Sequence, residues 1–150
     1  MALYNTETGT THLLANLSDG ILTLTMNRPE ARNALSGEML DALADQLARA
    51  EVATDVRCVV LTGAGKGFCA GGDVKAMNEQ DADTHPGNAP DEYIHRQRLI
   101  QRATAGKLFQ IPKPTLAVIN GAAAGAGLAL ALACDLRVRS EEYTSELQSH

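Results

Sequence analysis

The sequence predicts an α/β fold with a mostly parallel sheet, on three observations. A hairpin-like pair of apolar stretches opens the pattern. Two short apolar runs, "VRCVVLT" and "TLAVIN", follow it, and segments of helical periodicity fill the intervals. Parallel strands need crossovers of about a dozen residues or more, and these intervals are long enough.

The elements can be justified in order. His12 to Leu17, Ser18-Asp19-Gly20 and Ile21 to Met26 read as a β-hairpin. Asp-Gly is a strong two-residue turn signal, and Ile21, Thr23 and Thr25 alternate with Leu22, Leu24 and Met26. "NRPEARNAL" follows as a loop. Ser36 stands at an N-cap, and Met39, Leu40, Leu43 and Leu47 recur at helical spacing through Ala50. Val56 to Thr62 suits a strand buried on both faces. "GAGKGFCAGGD", Gly63 to Asp73, is a glycine-rich loop, with a short helical piece expected over Val74 to Met77. Residues 78–90 have the composition of a mobile surface loop. Asp91 is expected to cap a helix from Glu92 to Leu108, which Pro112 and Pro114 end. Thr115 to Asn120 is a second buried strand. "GAAAGAGLALALAC" is then a loop leading into a helix, and Leu136 to Val138 starts another strand.

Composition narrows the function classes. The chain has 150 residues, 45% of them hydrophobic but only 3% aromatic, so Leu, Val, Ile and Ala must fill the core. A net charge of −5 gives no electrostatic footprint for nucleic acid or for anionic lipid. No secretory signal is visible in the first 20 residues, and Leu116 to Cys134 is too rich in Gly and Ala for a bilayer span. A cytoplasmic location is the expectation. The odd count of three cysteines, Cys58, Cys69 and Cys134, suits buried reduced thiols. Lys107, Lys113 and the histidines His12, His85 and His95 are expected in solvent or in loops.

Familiar motifs do not fit the two glycine-rich loops. Gly125-Ala126-Gly127 is followed by Leu130 where the dinucleotide fingerprint needs a third small residue. Lys66 precedes Gly67, which departs from the P-loop order. Cys69 has no second Cys or His at metal-ligand spacing. What the loops share is position: each follows a buried strand, each is built of Gly and Ala, and each leads into a helix. Small residues admit a ligand to the backbone, and N–H groups at a helix start point outward. Two such loops side by side could aim two peptide donors at one oxygen, forming an oxyanion hole without a reactive side chain.

Three stretches carry a family resemblance: "LTMNRPEARNAL" (Leu24 to Leu35), "LTGAGKGFCAGGDVKAM" (Leu61 to Met77) and "IPKPTLAVINGAAAGAGLALALACDLRV" (Ile111 to Val138). In this order they resemble the enoyl-CoA hydratase/isomerase, or crotonase, family. The resemblance implies a crotonase-like spiral of ββα units, truncated before the C-terminal helical region. It also implies an acyl-CoA thioester as the partner, coenzyme A as part of the substrate with no separate cofactor or metal, and a homotrimer or dimer of trimers. By motif, the two family N–H donors fall on Gly72 and Ala126. The family's CoA contacts map to Arg28, Ala31, Ala70, Gly71, Asp73 and Lys75.

The departure from the family pattern concerns Ala129. Hydratases of the family carry a catalytic glutamate three residues after the second donor, and alanine can move no proton. The resemblance therefore favours an isomerase-type enzyme holding a thioester enolate. A hydratase or a non-catalytic acyl-CoA-binding relative is the alternative. Residues 1–138 are read as the N-terminal part of a crotonase-like acyl-CoA-binding domain. Residues 139–150 turn polar where a strand should continue, and "RSEEYTSELQSH" resembles a translated sequencing adapter at all but one position, so a non-native tail is expected. Without the later helices that complete the pocket in the family, the 150-residue chain by itself is expected to be inactive.

Overall fold

The computed structural model describes residues 4–73 and 90–140. The hairpin forms as expected. Strand β1 (Leu13–Ser18) pairs antiparallel with β2 (Ile21–Met26), and Ser18 faces Ile21 across the turn. Asp19 and Gly20 both have positive φ, 53° and 82°, as a two-residue turn matching strand twist requires.

Ser36 caps helix α1 (Gly37–Val52), its side chain accepting from the Met39 N–H. This ties up one of the donors that a helix start leaves open. The same hydroxyl lies 2.7 Å from His12 Nδ1, so His12 is half-buried against the cap instead of in solvent. Met39, Ala42, Leu43, Leu47 and Ala50 form the buried stripe of α1.

Strands β3 (Cys58–Gly63), β4 (Thr115–Ile119) and β5 (Leu136–Arg139) extend the sheet in the order β1-β2-β3-β4-β5, every pairing after the first being parallel. Helix α2 (Pro90–Gln101) starts at Pro90, with Asp91 and Glu92 in its first turn, and ends at Gln101. A π-helical segment, Arg102–Gly106, and a short α3 (Lys107–Gln110) continue it, so the predicted helix over Glu92 to Leu108 is real but interrupted. Helix α4 (Ala126–Ala133) separates β4 from β5. The pieces expected over Val74 to Met77 and over 78–89, and the tail from 141 onward, lie outside the described residues.

Expectation and structure part at β3 and β4. The first was read as buried on two faces and the second as a buried strand; both are buried on one face. Val59, Leu61, Thr115, Ala117 and Ile119 are buried, whereas Cys58, Val60, Leu116 and Val118 on the opposite face stay half-exposed. The buried strand face joins Leu22, Leu24, Met26, the α1 stripe, Leu108, Leu130 and Ala131 in one core, so a single helical layer covers the sheet among the described residues. Strand β5 is exposed along its whole length.

The two lysines near the end of α3 are engaged. Lys107 Nζ pairs with Glu51 at 2.6 Å, and Lys113 Nζ donates to the carbonyls of Ala50 and Ala53 at the end of α1. A cation there satisfies carbonyls that a helix end leaves open and suits the helix dipole.

Cys69 and Cys134 are buried and reduced; Cys58 is half-exposed. Burial pushes the Cys134 thiol up to about 11. A free thiol titrates near about 8.5, so stability from the neutral buried thiol is complete below that pH and is lost as pH rises toward the folded value. The urea midpoint should therefore fall between pH 8.5 and 11 more steeply in the wild type than in Cys134→Ala. Equal slopes would remove Cys134 as the cause.

Candidate active site

The two glycine-rich loops leave neighbouring parallel strands, β3 and β4, at the same end. Carboxyl ends of parallel strands are the usual place for ligand sites in α/β sheets. Here the loops are also bonded to each other. Phe68 and Cys69 N–H donate to the Ala122 carbonyl at 3.0 and 3.1 Å, and Ala124 N–H donates back to Cys69 at 3.0 Å. On the other side, Ala70 N–H donates to Arg32 and Leu35 N–H to Gly71, at 2.9 and 2.8 Å. The segment Cys69–Gly72 therefore lies between the loop after β2 and the loop after β4, bonded to both.

Two buried or half-buried asparagines hold the turn over Gly63–Gly67. Asn33, fully buried, accepts from the Arg28 N–H at 2.8 Å and donates to the carbonyls of Ala64 and Gly67, both at 2.9 Å. Asn120 donates to Gly65 and Gly67 at 2.9 and 3.0 Å and accepts from Gly63 N–H at 3.3 Å. Asn33 also has a φ of 56°, a left-handed backbone that asparagine tolerates better than most residues. Neither was singled out from sequence. The available signal for Asn120 was a polar residue ending an otherwise apolar run.

Small residues let these backbones touch. Gly71 has a φ of 109°, and a Cβ there would sit 3.1 Å from the Ala124 carbonyl oxygen and 3.6 Å from the Ala126 nitrogen. A Cβ on Gly127 would lie 2.5 Å from the Cys69 carbonyl oxygen, 2.7 Å from its Cβ and 2.8 Å from its Sγ. The segment Gly71–Gly72 is thus seated directly against the start of α4.

The peptide N–H groups of Gly72 and Ala126 have no acceptor among the described residues. Both residues are exposed, so neither is a buried defect. Ala126 is the first residue of α4, whose N-cap, Gly125, provides no side-chain cap. Two exposed peptide donors on adjoining backbones, without partners among the described residues, are what an anionic oxygen would use.

The other residues suggested by the motifs fall as follows. Ala70 is exposed beside Gly71, and Ala31 ends a 3-10 turn over Pro29–Ala31. Arg28 and Asp73 meet each other: Arg28 Nη1 donates to Asp73 Oδ2 at 3.1 Å and to the Ala34 carbonyl at 2.8 Å. Both side chains are mostly buried, 16% and 18% exposed, which makes this pair a brace between two loops before it is anything else. Arg28 Nε is buried with no partner among the described residues, an arrangement that typically costs about 1–3 kcal/mol. Ala129 is exposed on α4, about one turn beyond Ala126. Lys75 lies outside the described residues.

Thiol and metal chemistry find little footing here. The Cys69 thiol is pushed up by burial, against a smaller opposing effect of the Gly71 N–H, so it is not a ready thiolate. Among the described residues no three His, Cys, Asp or Glu side chains gather in a way that could hold a metal ion. No helix among them is long and apolar enough to cross a membrane.

Comparison with known proteins agrees with this architecture. Residues 16–146 match the family model described as Enoyl-CoA hydratase/isomerase. YngF of Bacillus subtilis (strain 168), whose name assigns it to the same group, is 46% identical over 119 residues, covering 79% of this chain and 42% of that protein. The 1,2-epoxyphenylacetyl-CoA isomerase of Escherichia coli (strain K12) is 41% identical over 124 residues, covering 83% of this chain and 45% of the enzyme. Among solved structures, Pseudomonas aeruginosa PA4980 superposes with a TM-score of 0.77 at 37% identity, over 87% of this chain and 53% of that one. The chain spans about half the length of the relatives it matches.

Proposed function

This chain belongs to the enoyl-CoA hydratase/isomerase family, and on that premise we propose that the protein transforms an acyl-CoA by holding its thioester enolate between the N–H groups of Gly72 and Ala126. The observation carrying this reading is that these two donors find no acceptor among the described residues while their backbones adjoin at Gly71. As the α-proton passes to a base, charge grows on the thioester oxygen, and donors already in place need no reorganisation to meet it. Coenzyme A enters as part of the substrate. Ala70, exposed, and Ala31, half-exposed, offer it small-residue surface; Lys75 would supply a charge for a CoA phosphate.

Isomerase-type chemistry is preferred because Ala129 stands where a hydratase of the family carries a glutamate. Similarity to a 1,2-epoxyphenylacetyl-CoA isomerase, 41% identical over 124 residues, supports that preference. Hydration is the second reading, favoured by hydratases among the relatives of similar coverage. In the complete gene product, crotonyl-CoA and a 3-enoyl-CoA separate the two. Isomerisation of the 3-enoyl-CoA is expected; brisk hydration of crotonyl-CoA without it would reverse the preference. We place the enzyme in the cytoplasm as a homotrimer or dimer of trimers, for which the exposed Leu128, Leu132, Leu136 and Val138 offer apolar surface.

The hole itself is tested by Ala126→Pro. Proline suits the first position of a helix, where its missing N–H breaks no intrahelical bond. The substitution should leave the melting temperature nearly unchanged and lower kcat/KM by about 10²–10³, the usual effect of losing one oxyanion donor. Retained activity would refute the role given to Ala126.

A further inference from the structure

We infer that the Arg28–Asp73 ion pair is a positioning device for the Gly72 N–H, and that its side chains are not a CoA subsite. The inference rests on the oxyanion reading above and adds residues to it. Gly72 is flanked on both sides by fixed points. Before it, the Gly71 carbonyl accepts from Leu35 N–H at 2.8 Å; after it, the Asp73 carboxylate is held by Arg28 Nη1 at 3.1 Å. The same Nη1 donates to the Ala34 carbonyl at 2.8 Å, next to Leu35. One guanidinium nitrogen therefore joins the strand-like run Ala34–Leu35 to the residue that follows the donor, and Leu35 and Gly72 form a parallel bridge between these attachments.

The peptide between those points is glycine-glycine, Gly71-Gly72, with no side chain to hold it in place. Glycine backbone is the least restrained of any residue, so the direction of the Gly72 N–H must be set from outside. Arg28 is committed to that task. Its backbone N–H is held by Asn33 at 2.8 Å, and its Nη1 is shared between two acceptors on two different loops. A guanidinium recruited to bind a phosphate would be expected at the surface with its donors open; this side chain is 16% exposed.

Positioning and substrate contact predict different measurements. Acetoacetyl-CoA is an enolisable thioester whose bound enolate has its own ultraviolet band, which reports on the donors without requiring turnover. With the complete protein, binding is measured by calorimetry and the enolate band is read at saturation. Asp73→Ala is expected to leave Kd within about threefold, to reduce the enolised fraction of bound ligand, and to lower kcat by up to about 10²-fold, the scale of a misplaced catalytic group. Asp73→Asn keeps an acceptor for Arg28 and should lie between Asp73→Ala and wild type. If Asp73→Ala does not fold, Arg28→Lys, which keeps the charge and loses the fork, carries the same expectation.

A weakened Kd with an unchanged enolate band per bound ligand would overturn the inference and return the pair to CoA binding. Unchanged Kd, band and kcat would overturn it as well. Failure of the underlying reading shows separately: the wild type would then give no enolate band, or Ala126→Pro would leave it intact.

Discussion

Gly127→Ala is expected to destabilise the protein by about 3 kcal/mol, at the upper end for overpacking, and to abolish acyl-CoA turnover. The added methyl meets three atoms of Cys69 at 2.5–2.8 Å, one of them a backbone carbonyl oxygen. That carbonyl cannot swing aside freely, because it accepts from Ala124 N–H. Relief must therefore come from moving α4 away from the Cys69–Gly72 segment, which separates the two candidate donors. Thermal denaturation and kcat/KM report the two effects independently. Adding Cys69→Gly removes the contacts to Cβ and Sγ but leaves the one to the carbonyl, so rescue should be partial. Full rescue would show that side-chain crowding alone was responsible.

Asn33→Asp should be the more informative of the large-effect substitutions. The replacement has the same shape, but an ionised carboxylate cannot donate to the Ala64 and Gly67 carbonyls, and it is fully buried facing them. Losing both donations and burying the charge predicts about 3 kcal/mol of destabilisation at neutral pH. Burial and the two carbonyl dipoles raise the folded-state pKa of the introduced acid. Its destabilisation should therefore develop as pH rises above about 4 and recede at lower pH, where the neutral acid can donate one hydrogen bond. Urea unfolding of wild type and variant at pH 4 and pH 7 reads the difference. A gap that does not widen with pH would mean that the side-chain donations contribute little. The Asn33→Ala variant, with no charge, should show a loss without that pH dependence.

Local features were legible because local physics produces them. The Asp19-Gly20 turn depends on two backbone angles. The Ser36 cap depends on an N–H three residues away. Strand and helix order followed from periodicity, and the small residues of the two loops already suggested that a ligand could reach their backbone. What was misjudged at sequence level shares one cause. "VRCVVLT" reads as buried on two faces because an apolar run records what a strand could pack against, not how many layers cover it. Lys107 and Lys113 were expected in water because lysine usually is; their acceptors on α1 are 56 to 63 residues away.

The sequence alone was enough for the fold class, the hairpin, the α1 stripe and the family. Each of these is set by neighbouring residues or by motif. Only the tertiary structure decided that Arg28 faces Asp73, 45 positions apart, and that Asn33 and Asn120 both hold Gly67, over 34 and 53 positions. It also decided that Gly127 must lack a side chain because Cys69 occupies the space. The physical reason is common to all three. A hydrogen bond or a steric contact depends on position in space, and residues so far apart in the chain meet only after parallel strands β2, β3 and β4 have brought their loops to one end of the sheet.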